Sequence, residues 1–360
     1  MSNRVFNFSA GPAMLPTEVL EASAKALVDF QGKGFGIAEC SHRGKEFDGV
    51  LDEAIAKCKS LLSVPDTHDI LFLQGGATQL FNTIPMNFLT DKPAEYVVGG
   101  EWSKKAASAA QSAYGEKVKV IASSEETKFD RPPVGWKADP NAAYLHVCSN
   151  ETVHGHRLVE WPEHPNLVVD ASSEMMSRPH PVSRTALVYA GAQKNLGPAG
   201  VVVAIVRKDL YPRIAKSVPK IFSFQANAEA KSCLNTPPTF GIYFLLETFR
   251  WLEAQGGLGA IEKRNAEKAA LIYGAIDGSG GFYKGTVADK SARSHMNVTY
   301  LLPSEELTDK FVKEASKNGM VALKGYRTVG GIRASIYNAM PVAGAKALAD
   351  FMGTFAKANG

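Results

Sequence analysis

Short runs of β-favouring residues alternate with amphipathic stretches along the first two thirds of the chain. The runs that predict buried strands are residues 69–73, 96–98, 117–121, 143–147, 167–169, 186–190 and 201–206. Elsewhere apolar residues recur at helical spacing, as in residues 17–30 and 50–62. This order of elements predicts an α/β fold, in which helices cover both faces of a mostly parallel sheet.

The last third of the chain predicts a second, smaller domain. An apolar helix is expected from about residue 240 to 252, and Gly256 and Gly257 separate it from a more polar helix at 261–276. The elements expected beyond it are a strand at 296–302, a helix at 305–318, strands near Val321 and Ile332, and a final helix from Val342. Together they predict a compact α/β domain of about 100 residues.

Residues able to bind a ligand follow directly after several of the predicted strands. In sheets of this kind, ligands bind beyond the carboxyl ends of the strands. The residues in such positions are Thr78, Trp102, Thr152, Asp170 and Lys194. Their shared position is the strongest indication of a ligand site that the pattern contains.

Two of the predicted strand ends suggest particular chemistry, namely the turn before Thr78 and the turn that holds Lys194. Gly75 and Gly76 join a strand to a helix, so free backbone N–H groups at the helix start could bind a phosphate, although two glycines also form plain turns. Lys194 lies between two strands among glycine and alanine residues, where desolvation favours a neutral amine that can attack an aldehyde. A solvated turn lysine is the alternative.

Composition narrows the class of protein without naming it. Hydrophobic residues make up 45% of the 360 residues and charged residues 21%, and the net charge of +4 comes with no basic stripe, which argues against a nucleic-acid partner. The four cysteines are scattered, and the sequence contains no signal peptide or membrane-length apolar run. His154 and His156 lack metal-like partners. We therefore expect a cytoplasmic protein without a metal and without membrane association.

The candidate residues are more informative together than singly. Alone, Trp102 could be a packing residue, and Asp170 or Thr152 could cap a helix. A reactive lysine, a carboxylate, an aromatic ring and a phosphate cup are together what pyridoxal phosphate requires. The carboxylate would keep the pyridine nitrogen protonated, and the lysine would act as the general base.

Several separated stretches are similar to one known family. They are Asn7-Phe8-Ser9-Ala10-Gly11-Pro12, Ser41-His42-Arg43-Gly44-Lys45-Glu46-Phe47, Ala190-Gly191-Ala192-Gln193-Lys194-Asn195, Leu234-Asn235-Thr236-Pro237-Pro238-Thr239-Phe240, and residues 330–341. Over almost its whole length the chain resembles the phosphoserine aminotransferases, which are class V enzymes of fold-type I that use pyridoxal phosphate. The resemblance implies a large domain, residues 16–257, with a mostly parallel seven-stranded sheet, and a smaller α/β domain formed by residues 1–15 and 258–360.

The resemblance also implies roles for individual residues of a homodimer whose active site lies at the subunit interface. Lys194 would form the Schiff base with the cofactor, Asp170 would pair with its pyridine nitrogen, and Trp102 would stack on its ring. Thr152 would approach the cofactor hydroxyl. The cofactor phosphate would be held by Ala77, Thr78 and Gln193, together with Asn235 and Thr236 from the second subunit.

Substrate binding is implied for a further set of residues, which are Ser9, His42, Arg43, Arg327 and Arg333. Arg333 would bind the α-carboxylate, since a guanidinium fork matches a carboxylate in bidentate fashion. From the sequence alone, His42 and Arg43 could equally be solvated loop residues. Two positions depart from the family: Thr78 replaces an arginine of some members, and Tyr326 replaces a histidine of many.

The expected activity is amino transfer from L-glutamate to 3-phosphohydroxypyruvate, which yields O-phospho-L-serine in serine biosynthesis. The phosphohydroxythreonine step of pyridoxine biosynthesis is a second substrate that the family suggests. Alternatives are a class V relative with another substrate, such as a serine–pyruvate aminotransferase or a cysteine desulfurase that would use Cys233. A non-catalytic scaffold of the same fold is a further alternative, but it would be expected to lose Lys194 or Asp170.

Overall fold

The computed structural model describes residues 4–360, which form an α/β fold. The helices are α1 (Thr17–Val28), α2 (Lys45–Leu62), α3 (Ala77–Phe88), α4 (Glu101–Tyr114), α5 (Phe224–Glu229), α6 (Thr239–Ala254), α7 (Gly257–Asp277), α8 (Glu305–Lys317) and α9 (Val342–Asn359). The strands are β1 (Phe6–Asn7), β2 (His68–Gly75), β3 (Ala94–Val98), β4 (Val118–Ser123), β5 (Leu145–Cys148), β6 (Asn150–Glu151), β7 (His156–Arg157), β8 (Leu167–Asp170), β9 (Leu187–Gly191), β10 (Gly200–Arg207), β11 (Lys284–Gly285), β12 (Asn297–Leu301), β13 (Met320–Val321) and β14 (Ile332–Ser335).

A seven-stranded sheet in the order β2-β10-β9-β8-β5-β3-β4 forms the centre of the fold. Strand β10 is antiparallel to both of its neighbours, and the other strand pairs are parallel. Because the side chains of a strand alternate between faces, β10 contributes Val201, Val203 and Ile205 to one hydrophobic cluster and Val202 and Ala204 to the other. The predicted α/β fold with a mostly parallel seven-stranded sheet is confirmed.

Helices cover both faces of this sheet. On one face α2 and α6 pack through buried residues such as Leu51 and Ile242, and on the other face α3 and α4 pack through Ile84 and Ala106. Burial on both sides explains why the central strands are apolar throughout. Each fully buried valine, leucine or isoleucine contributes about 1.5–3 kcal/mol relative to an exposed position.

The C-terminal part of the chain has a hydrophobic cluster of its own. Strands β11, β12 and β14 form a three-stranded antiparallel sheet, and α7, α8 and α9 contribute to the same cluster as Tyr300 and Phe311. Phe8 belongs to this cluster, and β1 pairs in parallel with β13. This arrangement supports the division into residues 16–257 and residues 1–15 with 258–360, which we keep as a proposal.

The structure extends some elements beyond their predicted limits. Helix α2 begins at Lys45, five residues before the predicted start at residue 50, and Glu46 and Asp48 occupy its first turn. Acidic residues there interact favourably with the helix dipole, but they are invisible to a search for apolar periodicity. The short helix α5 and the β6–β7 hairpin were not predicted, because both are too short to show a period.

Candidate active site

The C-terminal ends of the parallel strands converge on one pocket. Its lining residues are Gly76, Ala77, Thr78, Phe81, Trp102, Cys148, Asn150, Asp170, Ser172, Ser173, Gln193 and Lys194. Strand β8 ends at Asp170, and Lys194 follows shortly after the end of β9. Six of the residues singled out from the sequence therefore lie around one space, as expected for the edge of a parallel sheet.

Lys194 is almost completely enclosed, with 8% of its surface exposed. Its Nζ donates a hydrogen bond of 2.8 Å to Oγ1 of Thr152, so the structure joins this predicted pair directly. Burial lowers the pKa of Lys194 below its ordinary value, while the nearby charges of Asp170 and Glu151 oppose that change. A lowered pKa enlarges the fraction of neutral amine, which is the nucleophilic form.

Asp170 places a carboxylate at the bottom of the pocket, with only 4% of the residue exposed. Its Oδ1 accepts a hydrogen bond of 2.9 Å from the backbone N–H of Ser172. Burial raises the pKa of Asp170, whereas hydrogen bonds from Ser172 and Tyr189 and the charge of Lys194 lower it. Such a carboxylate is suited to pair with a protonated nitrogen that enters the same enclosed space.

Trp102 is positioned by a carboxylate that sequence reasoning missed. Glu151 Oε2 accepts from the backbone N–H of Trp102 at 3.2 Å, and Oε1 accepts from the N–H of Ser103 at 3.1 Å and from its hydroxyl at 2.5 Å. Glu151 therefore satisfies the free N–H groups at the start of α4. The signal that could have revealed it is an acidic residue at a strand end, immediately before Thr152.

The start of α3 has backbone N–H groups that no side chain of the described residues caps. The helix follows Gly76, and no side chain within residues 4–360 caps its first turn. Gly75 has a φ of +103°, and a Cβ atom at that position would lie 2.2 Å from Oε1 of Gln79, so only glycine fits this turn. Uncapped N–H groups at the positive end of a helix dipole suit a phosphate, and Ala77 and Thr78 lie at that end.

Arg333 lies on β14 near the mouth of the pocket, and it contributes to the electrostatic environment of Lys194. Its guanidinium carbon is 6.0 Å from the centre of the Tyr326 ring, and its Nε is buried without a partner among the described residues. Lys105 Nζ lies 4.7 Å from the centre of the Trp102 ring and 5.9 Å from that of Tyr326. Basic and aromatic groups thus surround this side of the pocket.

The N-terminal segment passes beside the lysine. A Cβ atom at Gly11 would lie 3.4 Å from Cγ of Lys194, and the hydroxyl of Ser9 accepts a hydrogen bond of 3.4 Å from the N–H of Gly11. The backbone N–H of Ala13 donates to the carbonyl of Gln193 at 2.9 Å. Ser9 is therefore close to the pocket without lining it.

Eight predicted residues are not among those that line this pocket within the chain. Thr152, Ser9 and Arg333 lie beside it, as described above, and the other five are His42, Arg43, Asn235, Thr236 and Arg327. Arg43, Arg327, Asn235 and Thr236 are exposed, and His42 is half-buried. Asn235 Nδ2 donates to Oε1 of Gln74 at 2.8 Å, and Gln74 Nε2 donates to the carbonyl of Thr236 at 2.5 Å. The roles predicted for Asn235 and Thr236 depend on a second subunit, and the roles of all five residues stay predictions.

No group of three or more histidine, cysteine, aspartate or glutamate side chains within residues 4–360 is arranged to hold a metal ion. Over the same residues, no helix combines the length and the apolar character needed to cross a membrane.

Comparison with known proteins agrees with this architecture. Residues 5–348 match the family model described as Aminotransferase class-V. A phosphoserine aminotransferase of Geobacillus kaustophilus is 50% identical over 358 residues, which cover 98% of each chain. One from Aromatoleum aromaticum is 48% identical over 366 residues, which cover 99% of this chain and 100% of the relative.

Solved structures of similar proteins share the fold from end to end. The phosphoserine aminotransferase from Bacillus circulans subsp. alkalophilus has a TM-score of 0.96 and 46% identity, and the alignment covers 100% of both chains. A pyridoxal-phosphate-bound phosphoserine aminotransferase from Trichomonas vaginalis has a TM-score of 0.90 and 36% identity, with 97% of this chain and 99% of that chain covered. The chain therefore belongs to the class-V aminotransferase family, and within it to the phosphoserine aminotransferases.

Proposed function

We propose that this chain transfers an amino group between L-glutamate and 3-phosphohydroxypyruvate with pyridoxal 5′-phosphate as cofactor, giving O-phospho-L-serine and 2-oxoglutarate. The observation that carries the proposal is the buried Lys194, bonded to Thr152 in the same pocket as Asp170 and Trp102. Relatives named phosphoserine aminotransferase that match over the full length support the same activity.

Three features of the pocket support pyridoxal phosphate in particular. The uncapped start of α3 offers backbone N–H groups to a phosphate. Asp170 offers a buried carboxylate to a pyridine nitrogen. Nε1 of Trp102 is buried and has no hydrogen-bond partner in the described part of the chain, so it is free to bond a bound molecule. When bound, the cofactor supplies a ring that withdraws electrons from the substrate α-carbon.

Each residue of the pocket has its own role in the proposed reaction. The neutral Nζ of Lys194 would hold the cofactor through its aldehyde and would move the proton of the substrate α-carbon. Thr152 orients that amine through their hydrogen bond of 2.8 Å. Asp170 would pair with the pyridine nitrogen, and Trp102 would lie against the ring. Gln193 and the start of α3 would bind the phosphate.

Substrate binding in this proposal depends on cations at the pocket mouth. Arg333 takes the α-carboxylate, because its guanidinium is half-buried and its Nε lacks a partner in residues 4–360. Arg43 and Arg327, with His42, take the distal phosphate or carboxylate of the substrate. The phosphorylated hydroxythreonine of pyridoxine biosynthesis fits the same charge pattern and is a second candidate substrate.

We propose a homodimer with the active site at its interface. Asn235 and Thr236 are exposed and bonded to Gln74, so they are available to reach the cofactor phosphate of a partner subunit. Ser9 completes the substrate side next to Lys194. A cytoplasmic location is part of the proposal, and it is supported by four free cysteines, which suit a reducing compartment.

The alternative activity, that of a cysteine desulfurase, is disfavoured by the raised pKa values of its two candidate nucleophiles, Cys233 and Cys148. Burial raises the pKa of Cys233 and raises that of the pocket residue Cys148 well above its ordinary value. A thiol of raised pKa is a poor nucleophile near neutral pH, because the thiolate is the reactive form. The positive charge of Lys194 lowers the pKa of Cys148, but burial and the charges of Glu151 and Asp170 outweigh it.

Absorbance spectroscopy of the purified, cofactor-loaded protein tests the proposed function. Separate addition of L-glutamate and O-phospho-L-serine should convert the lysine-linked aldehyde band to the amine form of the cofactor. The Lys194→Ala protein should lack the lysine-linked band, whereas Lys104→Ala, which changes an exposed lysine of α4, should keep it. If glutamate reacts but phosphoserine does not, the substrate assignment is wrong; if no lysine-linked band forms, the catalytic proposal is wrong.

A further inference from the structure

A buried row of polar side chains lies behind Asp170, on one face of the central sheet. Asp170 is directly opposite Tyr189 of β9 in the strand register. His146 of β5 is opposite Val168, and Tyr96 of β3 is opposite His146. Since side chains two residues apart on a strand share a face, all four polar residues lie on the side of the sheet covered by α3 and α4.

Two hydrogen bonds and one ring stack connect the side chains of this row, and their burial excludes water. His146 Nε2 and the Tyr189 hydroxyl oxygen are 2.9 Å apart. The His146 ring stacks on the Tyr96 ring with 4.9 Å between their centres, and the hydroxyls of Tyr96 and Tyr144 are 2.7 Å apart. Each of these four side chains is at most 1% exposed. Hydrophobic packing alone would be served by phenylalanine, so the polar groups require another explanation.

The protonation states in this row fix the direction of its hydrogen bonds. Burial lowers the pKa of His146 to about 3, so the imidazole is neutral and has a single N–H group. Nδ1 of His146 has no partner among residues 4–360. A buried N–H without an acceptor is rarer than a buried acceptor without a donor, which assigns the proton to Nε2. His146 then donates to the Tyr189 oxygen.

This direction leaves the Tyr189 proton free for the carboxylate. Burial raises the pKa of Tyr189 well above its ordinary value, so the phenol remains a donor. Asp170 and Tyr189 are direct neighbours across the β8–β9 pair and lie on the same face of the sheet. The Tyr189 hydroxyl lowers the pKa of Asp170 slightly, against the larger rise that burial causes. The other charged or titratable groups around Asp170 are Lys194, Cys148 and Glu151.

We propose that His146 and Tyr189 are positioning residues, which supply the Asp170 carboxylate with a donated hydrogen bond and fix its orientation toward the pyridine nitrogen of the cofactor. The proposal rests on the proposed function and adds residues that lie outside the pocket. Neither side chain is among those that line the pocket, so both act through Asp170. The chain of donors runs from Nε2 of His146 through the Tyr189 hydroxyl to the carboxylate.

The consequence is measurable in the cofactor-loaded enzyme. If Asp170 is less well held, the pyridine nitrogen loses its proton more easily, and the nitrogen that links Lys194 to the cofactor keeps its own proton to higher pH. In Tyr189→Phe, the midpoint of the absorbance change with pH should therefore rise by about one pH unit, as expected for the loss of one hydrogen bond to a charged group. The kcat should fall about tenfold to hundredfold, the effect of losing one hydrogen bond to a charged group, with little change in KM.

Matched variants separate this role from a structural one. Tyr144→Phe removes a hydroxyl that is equally buried and bonded only to Tyr96 within the described chain, so its midpoint should equal that of the wild type. His146→Leu removes the donor that orients the Tyr189 hydroxyl but keeps the hydroxyl itself, so its midpoint should shift in the same direction as that of Tyr189→Phe and by a smaller amount. His146→Gln keeps an N–H donor at similar reach and should restore the wild-type midpoint, which a purely structural effect would not do.

Each outcome decides between the proposals. If Tyr189→Phe and His146→Leu titrate as Tyr144→Phe does, the positioning role is refuted, and if Tyr189→Phe does not fold, the two His146 variants decide in its place. Equal midpoints for His146→Gln and His146→Leu would also overturn the proposal. Failure of the proposed function looks different, because the wild-type enzyme itself would then show no response to L-glutamate.

Discussion

Lys268 of α7 makes a prediction about stability that can be worked out from the structure. It is 0% exposed, and its Nζ donates hydrogen bonds of 2.9 Å and 2.7 Å to the carbonyls of Ile336 and Tyr337. A neutral amine has two N–H groups, so both bonds survive loss of the charge. Burial, with a smaller contribution from the charge of Arg264, lowers the pKa of Lys268 from 10.5 to about 7.

The sign and size of the effect follow from linkage. In the unfolded chain Lys268 keeps its proton up to its ordinary pKa of 10.5, whereas the folded protein releases it near pH 7. The free energy of unfolding therefore rises with pH between about 7 and 10.5, by about 1.4 kcal/mol per pH unit. Over that whole window the difference of about 3.5 pH units corresponds to about 5 kcal/mol, and from pH 6.5 to pH 9 to about 2.5 kcal/mol.

Denaturant unfolding of the wild type and Lys268→Met at pH 6.5 and pH 9 tests this prediction. The wild type should gain about 2.5 kcal/mol relative to the variant between these pH values, whichever protein is more stable at the start. Lys263→Met, on the exposed face of the same helix, is the control and should show no such relative gain. A difference between wild type and Lys268→Met that stays constant with pH would refute the reasoning.

Three further substitutions test the site. Gly75→Ala should weaken cofactor binding at least tenfold in an equilibrium titration, because a residue with a Cβ is strained at the φ of +103° that this turn requires; unchanged affinity would contradict the phosphate cup. Thr152→Val should remove the hydrogen bond to Lys194 and cut kcat by about tenfold, and equal rates would exclude an orienting role. Glu151→Ala leaves two N–H groups at the start of α4 unpaired, so the free energy of unfolding from thermal melts should fall by about 2–4 kcal/mol. Glu151→Gln should lose less, and melting curves equal to that of the wild type would contradict this role of Glu151.

Features that depend on a local pattern of residues, such as buried strands and the residues at their ends, could be predicted from the sequence. Apolar runs located every strand of the central sheet, since strands buried on both faces are continuous in sequence. Thr78, Trp102, Asp170 and Lys194 were found because strand ends in a parallel sheet meet at one edge. The position of a residue at a strand end does not say what it does, and the family resemblance then implied a role for each residue.

Contacts between distant segments were beyond the reach of that pattern. Glu151 bonds to a helix that starts fifty residues earlier, and Tyr189 of β9 reaches His146 of β5 across the strand between them, β8. In sequence both tyrosine and histidine lie inside apolar runs and look like ordinary core residues. Their partners depend on strand order, which hydrophobic periodicity does not encode. The role of an exposed residue such as Asn235 is harder still to predict, because in the proposed homodimer its partner surface belongs to the other subunit.

The C-terminal part of the chain is bonded directly to the neighbourhood of Lys194. The N–H of Asn338 donates to Oδ1 of Asn195 at 3.0 Å, and Asn195 is the residue after Lys194. The Tyr337 hydroxyl donates to the carbonyl of Ala10 at 2.8 Å, beside the same lysine. Segment 336–338 therefore ties three parts of the chain together, and Lys268 holds its first two carbonyls.

This connection extends the prediction for Lys268 from stability to catalysis. Lys268→Met frees the carbonyls of residues 336 and 337 and so loosens the segment that braces Asn195. We expect kcat to fall severalfold at a pH where the variant is fully folded, while Lys263→Met remains at the wild-type rate. Because Lys268 touches neither the pocket nor the cofactor-binding residues, an unchanged kcat would show that the tie between the two parts serves folding alone.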